Sequence, residues 1–358
     1  SVLLLTARLI DIFIAFIVHC SSLLHIPVMN RTFLAFLVLG CTFWLGYQLG
    51  KINPQTFQRE RITASTLAAT ATAPSGSHNL AYEESLHFFD DYADQEWERI
   101  KLKVREIQPN TKGSPRSGPT ISGAWFQNHY EPDFACRHER RIGKLGDGGK
   151  WVCDPHRLQG GDDPGGKPPS CLVYSVGSNG DSSFELAVKT SIGQHCEIHT
   201  FDMDNYSTQV EPTGALYHQW GLADTTQSKK EKSKGGEMTI HEYKTLADTV
   251  KLLGHQNRTI DIFKIDCEGC EWSTWRSWFD AKVPIRQVLI EVHENAKRVP
   301  RHGAPDFFSG MYQQGYVIFH KEPNIHYWHY RKCVEYAFLL LNQTFFDDEN
   351  GTSWLKLQ

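Results

Sequence analysis

Five short apolar-rich runs limit the folds open to this chain more than any other feature. They are CLVYSV at 171–176, EIHTF at 197–201, IDIFKI at 260–265, VLIEV at 288–292 and YVIF at 316–319. Each is too brief for a helix of ordinary length and has the β-branched and aromatic content of a buried strand. Between them lie stretches of helical character, Ser183 to Ile192 and Tyr243 to Leu253. Short buried strands separated by helices predict an α/β domain: a mostly parallel twisted sheet with helices on both faces. Upstream, RIGKLGDGGKWVC (Arg141 to Cys153) predicts a hairpin whose Gly-Asp-Gly-Gly turn permits positive φ. No internal repeat is visible.

The first part of the chain has a different character. Thr32 to Leu49 contains no charge and sits between Arg31 and Lys51. At about 18 residues it approaches the roughly 20 that cross a bilayer. The chain starts at Ser1, and MNRTFLAFLVLG from Met29 reads as a natural amino terminus. We therefore expect residues 1–28 to be a non-native extension and 29–50 a signal peptide or an uncleaved signal anchor, with a two-helix hairpin anchor as the alternative. Residues 51–120 are expected to form a stem, because Lys51 to Pro74 is rich in Thr, Ala and Ser and Gln108 to Pro119 in Pro, Gly and Ser. Within the stem, Leu86, Phe89, Ala93, Trp97, Ile100, Val104 and Ile107 recur at helical spacing and predict one amphipathic helix packed on the domain or on a second copy. The catalytic body is expected over 121–358.

Either kind of leader sends the body across a membrane, and two further features agree. Asn205, Asn257, Asn342 and Asn350 open glycosylation sequons. Seven cysteines follow the apolar segment (Cys136, Cys153, Cys171, Cys196, Cys267, Cys270 and Cys333), a number that predicts disulfides with one thiol left over in an oxidising compartment. The expected location is the secretory-pathway lumen, anchored in its membrane or secreted. A net charge of -4 provides no basic field for nucleic acid, and KKEKSK (Lys229 to Lys234) reads as a solvated loop.

VYSVGSNGDSSFELAV (Val173 to Val188) takes a strand into a tight turn at Gly177, Ser178, Asn179 and Gly180 and then into a helix. Glycines there let a ligand approach the backbone. About 25 residues on, Asp202 ends the second strand, placed to accept hydrogen bonds from the ribose hydroxyls of an adenosine cofactor. The dinucleotide form GxGxxG is missing, which favours S-adenosylmethionine. Asp202-Met203-Asp204 has a rival reading: Asp-x-Asp holds a divalent metal against a nucleotide diphosphate in lumenal glycosyltransferases. Asp224, at a third turn, is placed to meet the adenine amino group.

FKIDCEGCEW (Phe263 to Trp272) puts five acidic or thiol side chains into six positions at a strand's exit. Half a zinc site lacks a second pair at suitable spacing, and a thioredoxin-like pair should open a helix after the first strand of its fold. Leu246 and Asp248, then Lys264, Ile265, Asp266, Glu268, Gly269 and Glu271, resemble the signature of the FkbM-type methyltransferases. Together with the blocks around Gly148 and Gly177, they make the chain similar to the methyltransferase-like proteins of the secretory pathway. The resemblance implies a Rossmann-like class I fold, S-adenosylmethionine as cofactor, and the carboxylates rather than the thiols as the functional element. It departs at Ser175, where the family has an acid, and that puts donor affinity in doubt.

LIEVHEN ends the next strand, and Glu291 and His293 alternate onto one side. His293 is the histidine nominated as general base; Asp266 and Glu268 are the other candidates for removing a hydroxyl proton. The expected activity is transfer of a methyl group to an oxygen acceptor, a glycan hydroxyl among the candidates. The alternatives are a metal-dependent glycosyltransferase and a lumenal binding protein that keeps the fold without turnover.

Overall fold

The computed structural model describes residues 79–111, 129–159, 171–232, 236–293, 303–324, 333–348 and 350–355. All lie within one compact unit, Ser75–Gln358. The apolar segment at 32–49, the Thr/Ala/Ser-rich stretch after it and the start at 121 fall outside the described residues. Among the described residues, no helix is long and apolar enough to cross a membrane.

In chain order the elements are α1 (Leu80–Glu84), α2 (Asp94–Thr111), β1 (Arg140–Ile142), β2 (Lys150–Val152), β3 (Leu172–Val176), α3 (Ser183–Ala187, continued by a π turn at Val188–Ile192) and β4 (Glu197–Phe201). Then come α4 (Ser207–Val210), β5 (Leu216–His218), β6 (Gly221–Leu222), β7 (Gln227–Lys232), β8 (Met238–Lys244), α5 (Leu246–Leu253) and β9 (Ile260–Ile265). The chain continues with α6 (Glu271–Trp278), β10 (Ile285–His293), α7 (Gly303–Gln313), β11 (Tyr316–Pro323) and β12 (Cys333–Leu340).

Seven strands form the main sheet in the order β11-β12-β10-β9-β3-β4-β5. β3, β4, β5, β9 and β10 pair in parallel. β12 is antiparallel to both its neighbours, β10 and β11. The chain leaves β3 toward β4 on one side and returns to β9 on the other. That reversal opens a crevice at the carboxyl ends of β3 and β9, where sheets of this kind bind ligands. Two apolar layers cover the faces, one built around Trp272, Trp278 and Phe307, the other around Trp97, Phe184 and Phe345.

Three expectations change. The stripe from Leu86 to Ile107 is not one helix: Ser85 Oγ accepts the N–H groups of Phe88 and Phe89 (3.1 and 2.8 Å), and Leu86 and His87 take positive φ, so the chain turns before α2 begins. The segment packs against the domain. Trp97 is fully buried among Phe89, Tyr92 and Phe345, and its indole donates to Glu84 at 2.7 Å. Lys229 to Lys232 is no loop but most of β7, an exposed strand antiparallel to β8 in a three-stranded sheet with β6. Alternating lysines and a glutamate hid it, since neither face of that strand is apolar. Lastly, β12 with its reversed direction was not expected at all.

The seven cysteines among the described residues pair as Cys136–Cys153, Cys171–Cys196 and Cys267–Cys270, with Cys333 left as a thiol. The number matches the expectation of one unpaired cysteine.

Candidate active site

A cavity of about 1030 Å³ occupies the crevice. Gly177, Ser178, Asn179, Asp202, Asp224, Asp266, Glu268 and His293 all line it; of the nominated residues only Gly180 does not. Gly180 faces Tyr206, has φ +80°, and serves the turn's shape.

At one end stand β3, β4 and their turns. Gly177 has φ +77°, and a Cβ there would lie 1.7 Å from the carbonyl oxygen of Asp266, so only glycine fits where the two strand ends meet. Asp266 N–H donates to the Val176 carbonyl (3.0 Å) and Gly177 N–H to that of Phe201 (2.9 Å), locking three strand ends together. Asp202 Oδ2 accepts the N–H groups of Ser178 and Asn179 at 3.0 and 2.9 Å, and its Oδ1 accepts that of Asp204 at 3.2 Å. A carboxylate offers about four acceptor positions. Three are filled from within, so Asp202 first holds the turn and has little capacity left for two ribose hydroxyls. The same bonds disfavour an Asp-x-Asp metal cradle. Asp224 is exposed at the rim.

The other end is a buried acid–base cluster. Gln287 clamps the backbone of Cys153, accepting its N–H at 2.9 Å and donating to its carbonyl at 3.0 Å, which docks β2 beside β10. Lys150 of β2 thereby sits 2.6 Å from Glu335 of β12 and 3.3 Å from Asp266. Lys264 Nζ donates to the Gly177 carbonyl at 3.2 Å. Glu271, wholly buried, accepts the backbone N–H of His293 at 2.7 Å and that of Gly269 at 2.9 Å, with His293 Nδ1 at 3.1 Å. His293 Nε2 faces Asp266 and Glu268, each at 3.8 Å.

Charge separates the candidates. Burial opposes charge on His293, but the bond to Glu271 and the charges of Glu271 and Asp266 outweigh it and raise its pKa to about 9. At neutral pH its ring is a cation with no lone pair to offer, which corrects the nomination of His293 as general base. Burial also opposes charge on Asp266, yet Lys150, Lys264 and His293 hold it at about 2. Burial and then the carboxylates of Asp266 and Glu335 push Glu291 up to about 8. Its Oε1 accepts from Asn324 at 2.8 Å. Of these three groups, Glu291 has the pKa nearest neutrality.

The three acids of FKIDCEGCEW accordingly do different work. Asp266 lines the pocket, Glu268 stands exposed at its lip with φ +56°, and Glu271 is an internal brace for His293. The thiols are joined. Sequence reasoning missed Lys150 and Glu335, and placed Lys264 and Glu271 in the signature without seeing their roles. A lysine inside the apolar run IDIFKI was the available signal for Lys264; nothing local marked Lys150 or Glu335. Ser175, the departure from the family pattern, is buried beside Lys264 in the β3–β9 register and does not line the pocket.

A crevice at the reversal point of a mostly parallel sheet, lined by a glycine turn at one end and charged side chains at the other, belongs to a mixed α/β fold of the kind methyltransferases have. Residues 79–340 match the family described as Methyltransferase domain, and the chain belongs to that family. Among solved structures it is similar to the methyltransferase FkbM from Methylobacillus flagellatus, at 12% identity over 47% of this chain and 43% of that one, with a TM-score of 0.31. The chain thus spans less than half of that structure's length. No curated protein matched the sequence.

Proposed function

We propose that this methyltransferase uses S-adenosylmethionine to methylate a hydroxyl oxygen, with a carbohydrate as the acceptor class, in the lumen of the secretory pathway. The observation that carries the donor reading is the turn after β3 lining the large pocket: Gly177, Ser178 and Asn179 bring backbone to its wall, and the Asp266 carbonyl leaves no room for a Cβ at Gly177. When bound there, S-adenosylmethionine would supply the methyl group, with Gly177, Ser178, Asn179 and Asp224 along its length. Asp266, kept ionised by Lys150, accepts a hydrogen bond from the acceptor hydroxyl and orients its oxygen. A carboxyl near 2 is a poor proton acceptor; Glu291, near 8, is mostly protonated at neutral pH, and its ionised fraction accepts the hydroxyl proton as the methyl–sulfur bond breaks and S-adenosylhomocysteine is released, then gives that proton to water. His293, held by Glu271, keeps its positive charge against Asp266.

Within the family, RIGKLGDGGKWVC and VYSVGSNGDSSFE resemble methyltransferase-like protein 24, and we place the chain beside it as part of this proposal. The three disulfides support an oxidising compartment, as do exposed sequon asparagines at Asn205, Asn257 and Asn350. Asn342 is less suitable: it is only half exposed, and its amide nitrogen, the atom a glycan would join, donates to the Glu83 carbonyl at 3.5 Å. Expression in a secretory cell should give a mass increase that a glycosidase removes; no such increase would remove the compartment from the proposal. For the donor, the deciding experiment is a titration of the full chain with S-adenosylhomocysteine and, separately, UDP-sugars with manganese. Binding of the first supports the reading. Binding of the second alone would replace it with the glycosyltransferase. Donor binding without transfer to any glycan or protein pool would leave a binding protein.

A further inference from the structure

At the amino ends of the strands, away from the pocket, a second cluster of polar side chains lies against the sheet. Glu197 and His199 lie on one face of β4, two residues apart, and Tyr174 is the register partner of His199 on β3. His255 follows α5 after Gly254, whose φ of +75° turns the chain back. Three atoms converge here: Glu197 Oε1 lies 2.8 Å from His199 Nε2 and 3.2 Å from His255 Nε2. All three ligand-type atoms fall within 4.8 Å of one another.

The geometry points to a mononuclear site for Zn2+, or a similar late first-row divalent ion, bound by His199 Nε2, His255 Nε2 and Glu197 Oε1. Two imidazoles and a carboxylate with a water are a familiar ligand set for that ion. Bonds of about 2.0–2.1 Å place tetrahedral ligands roughly 3.3 Å apart, so the two spacings from Glu197 need to open by only tenths of an ångström.

The surroundings are those of a built site. The ring nitrogens not directed at the centre are both held: His255 Nδ1 by the Tyr174 hydroxyl at 2.7 Å and His199 Nδ1 by His218 Nε2 at 2.8 Å. Both partners can accept as well as donate. Each ring can therefore turn its proton outward and free Nε2 for a metal without any net proton release. Glu197 Oε2 is taken by Arg258 at 2.5 Å, which leaves Oε1 to coordinate singly. The Cys171–Cys196 disulfide sits beside Glu197, and Glu197 N–H donates to the Cys171 carbonyl at 2.8 Å, so the carboxylate starts from a fixed backbone. His199 and His255 are buried, while the Glu197 side chain is 36% exposed and gives an ion its entry.

The test is metal binding by the full chain. Dialysed against metal-free buffer and titrated with Co2+ alone, it should take up one equivalent with the visible absorption of a four-coordinate site, and Zn2+ should displace it. His255→Gln and Glu197→Gln should each weaken Zn2+ binding by more than about 100-fold, and Tyr174→Phe by about 10- to 100-fold. Cys333→Ser checks a competing grouping, Glu291, His293 and Cys333 in the pocket, and should change nothing. The Co2+ spectrum of the unaltered chain stands whether or not a variant folds. Its absence, unchanged affinity in folded His255→Gln, or loss of binding in Cys333→Ser would each overturn the site.

Discussion

The two ends of the pocket are built on opposite plans. The Gly177 end is made of backbone: positive φ, N–H groups gathered by one carboxylate, and a contact that excludes any Cβ. The Asp266 end is made of charge, with Lys150, Lys264 and His293 set against Asp266, Glu271 and Glu335 while Glu291 keeps a proton. Shape is set locally, by neighbours in sequence; charge balance is set globally, by residues brought from distant strands. A substitution at the first end should act through geometry and one at the second through pH and rate.

The largest effect is expected from Gly177→Ala. The new methyl would meet the Asp266 carbonyl, and the φ is strained as well, so we expect about 3 kcal/mol of destabilisation and no measurable donor binding. Native-like affinity in calorimetry would refute the geometric plan. Asp266→Asn should lower the methylation rate by about 10²-fold or more while S-adenosylhomocysteine binds within a few-fold of normal. If it lost donor affinity instead, the two ends would not be separable. Asp202→Ala frees the N–H groups of Ser178 and Asn179, and should weaken S-adenosylhomocysteine by about 1.5–3 kcal/mol. Faster hydrogen exchange at those two amides would show that the loss runs through the turn.

Titration sharpens the contrast further. The folded pKa of Glu291 is raised from 4.5 to about 8 and that of His293 from 6.5 to about 9. In both, the folded state holds the extra proton, so stability falls as pH rises, from about 4.5 to 8 for the first and 6.5 to 9 for the second. Tm measured across pH 5–9 should decline, and Glu291→Gln should flatten the lower part of that slope. An unchanged profile would mean that Glu291 is not the titrating group. The smallest effect belongs to the disulfide at the lip. Cys267→Val with Cys270→Ala should leave donor binding nearly intact, and with a separation of only 3 residues its stability cost should fall below the usual 2–4 kcal/mol. Loss of donor binding in this folded double variant would return the thiols to the centre of the site.

What the sequence made legible follows the same division. β4 and β9 appear at the bounds their apolar runs predict, and Gly177, Asp202 and Asp266 meet in one pocket because each ends such a run. β7 was missed because Lys229, Lys230 and Lys232 give it no apolar face, and β12 because nothing in its own residues states which neighbours it will join. Lys150 looked like part of a hairpin and nothing more. Its meaning depends on Gln287 docking that hairpin beside β10, a contact between residues 134 positions apart from Cys153. His293, at the end of β10, was recognised as a site residue, yet against burial its raised pKa owes most to Glu271, 22 positions back at the start of α6.

The pairing of Lys150 with Glu335 joins positions 185 apart. During synthesis Lys150 leaves the ribosome long before β12 exists, so a chain folding from its amino terminus must keep that ammonium in water or bury it against Asp266 alone. Burying a charge with its main partner missing costs about 3–5 kcal/mol. The hairpin of β1 and β2 is therefore expected to dock late, after β12 has slipped between β10 and β11. The last main-sheet strand to be synthesised then completes the acid–base end, and a chain truncated before Cys333 would leave Lys150 without its nearest carboxylate.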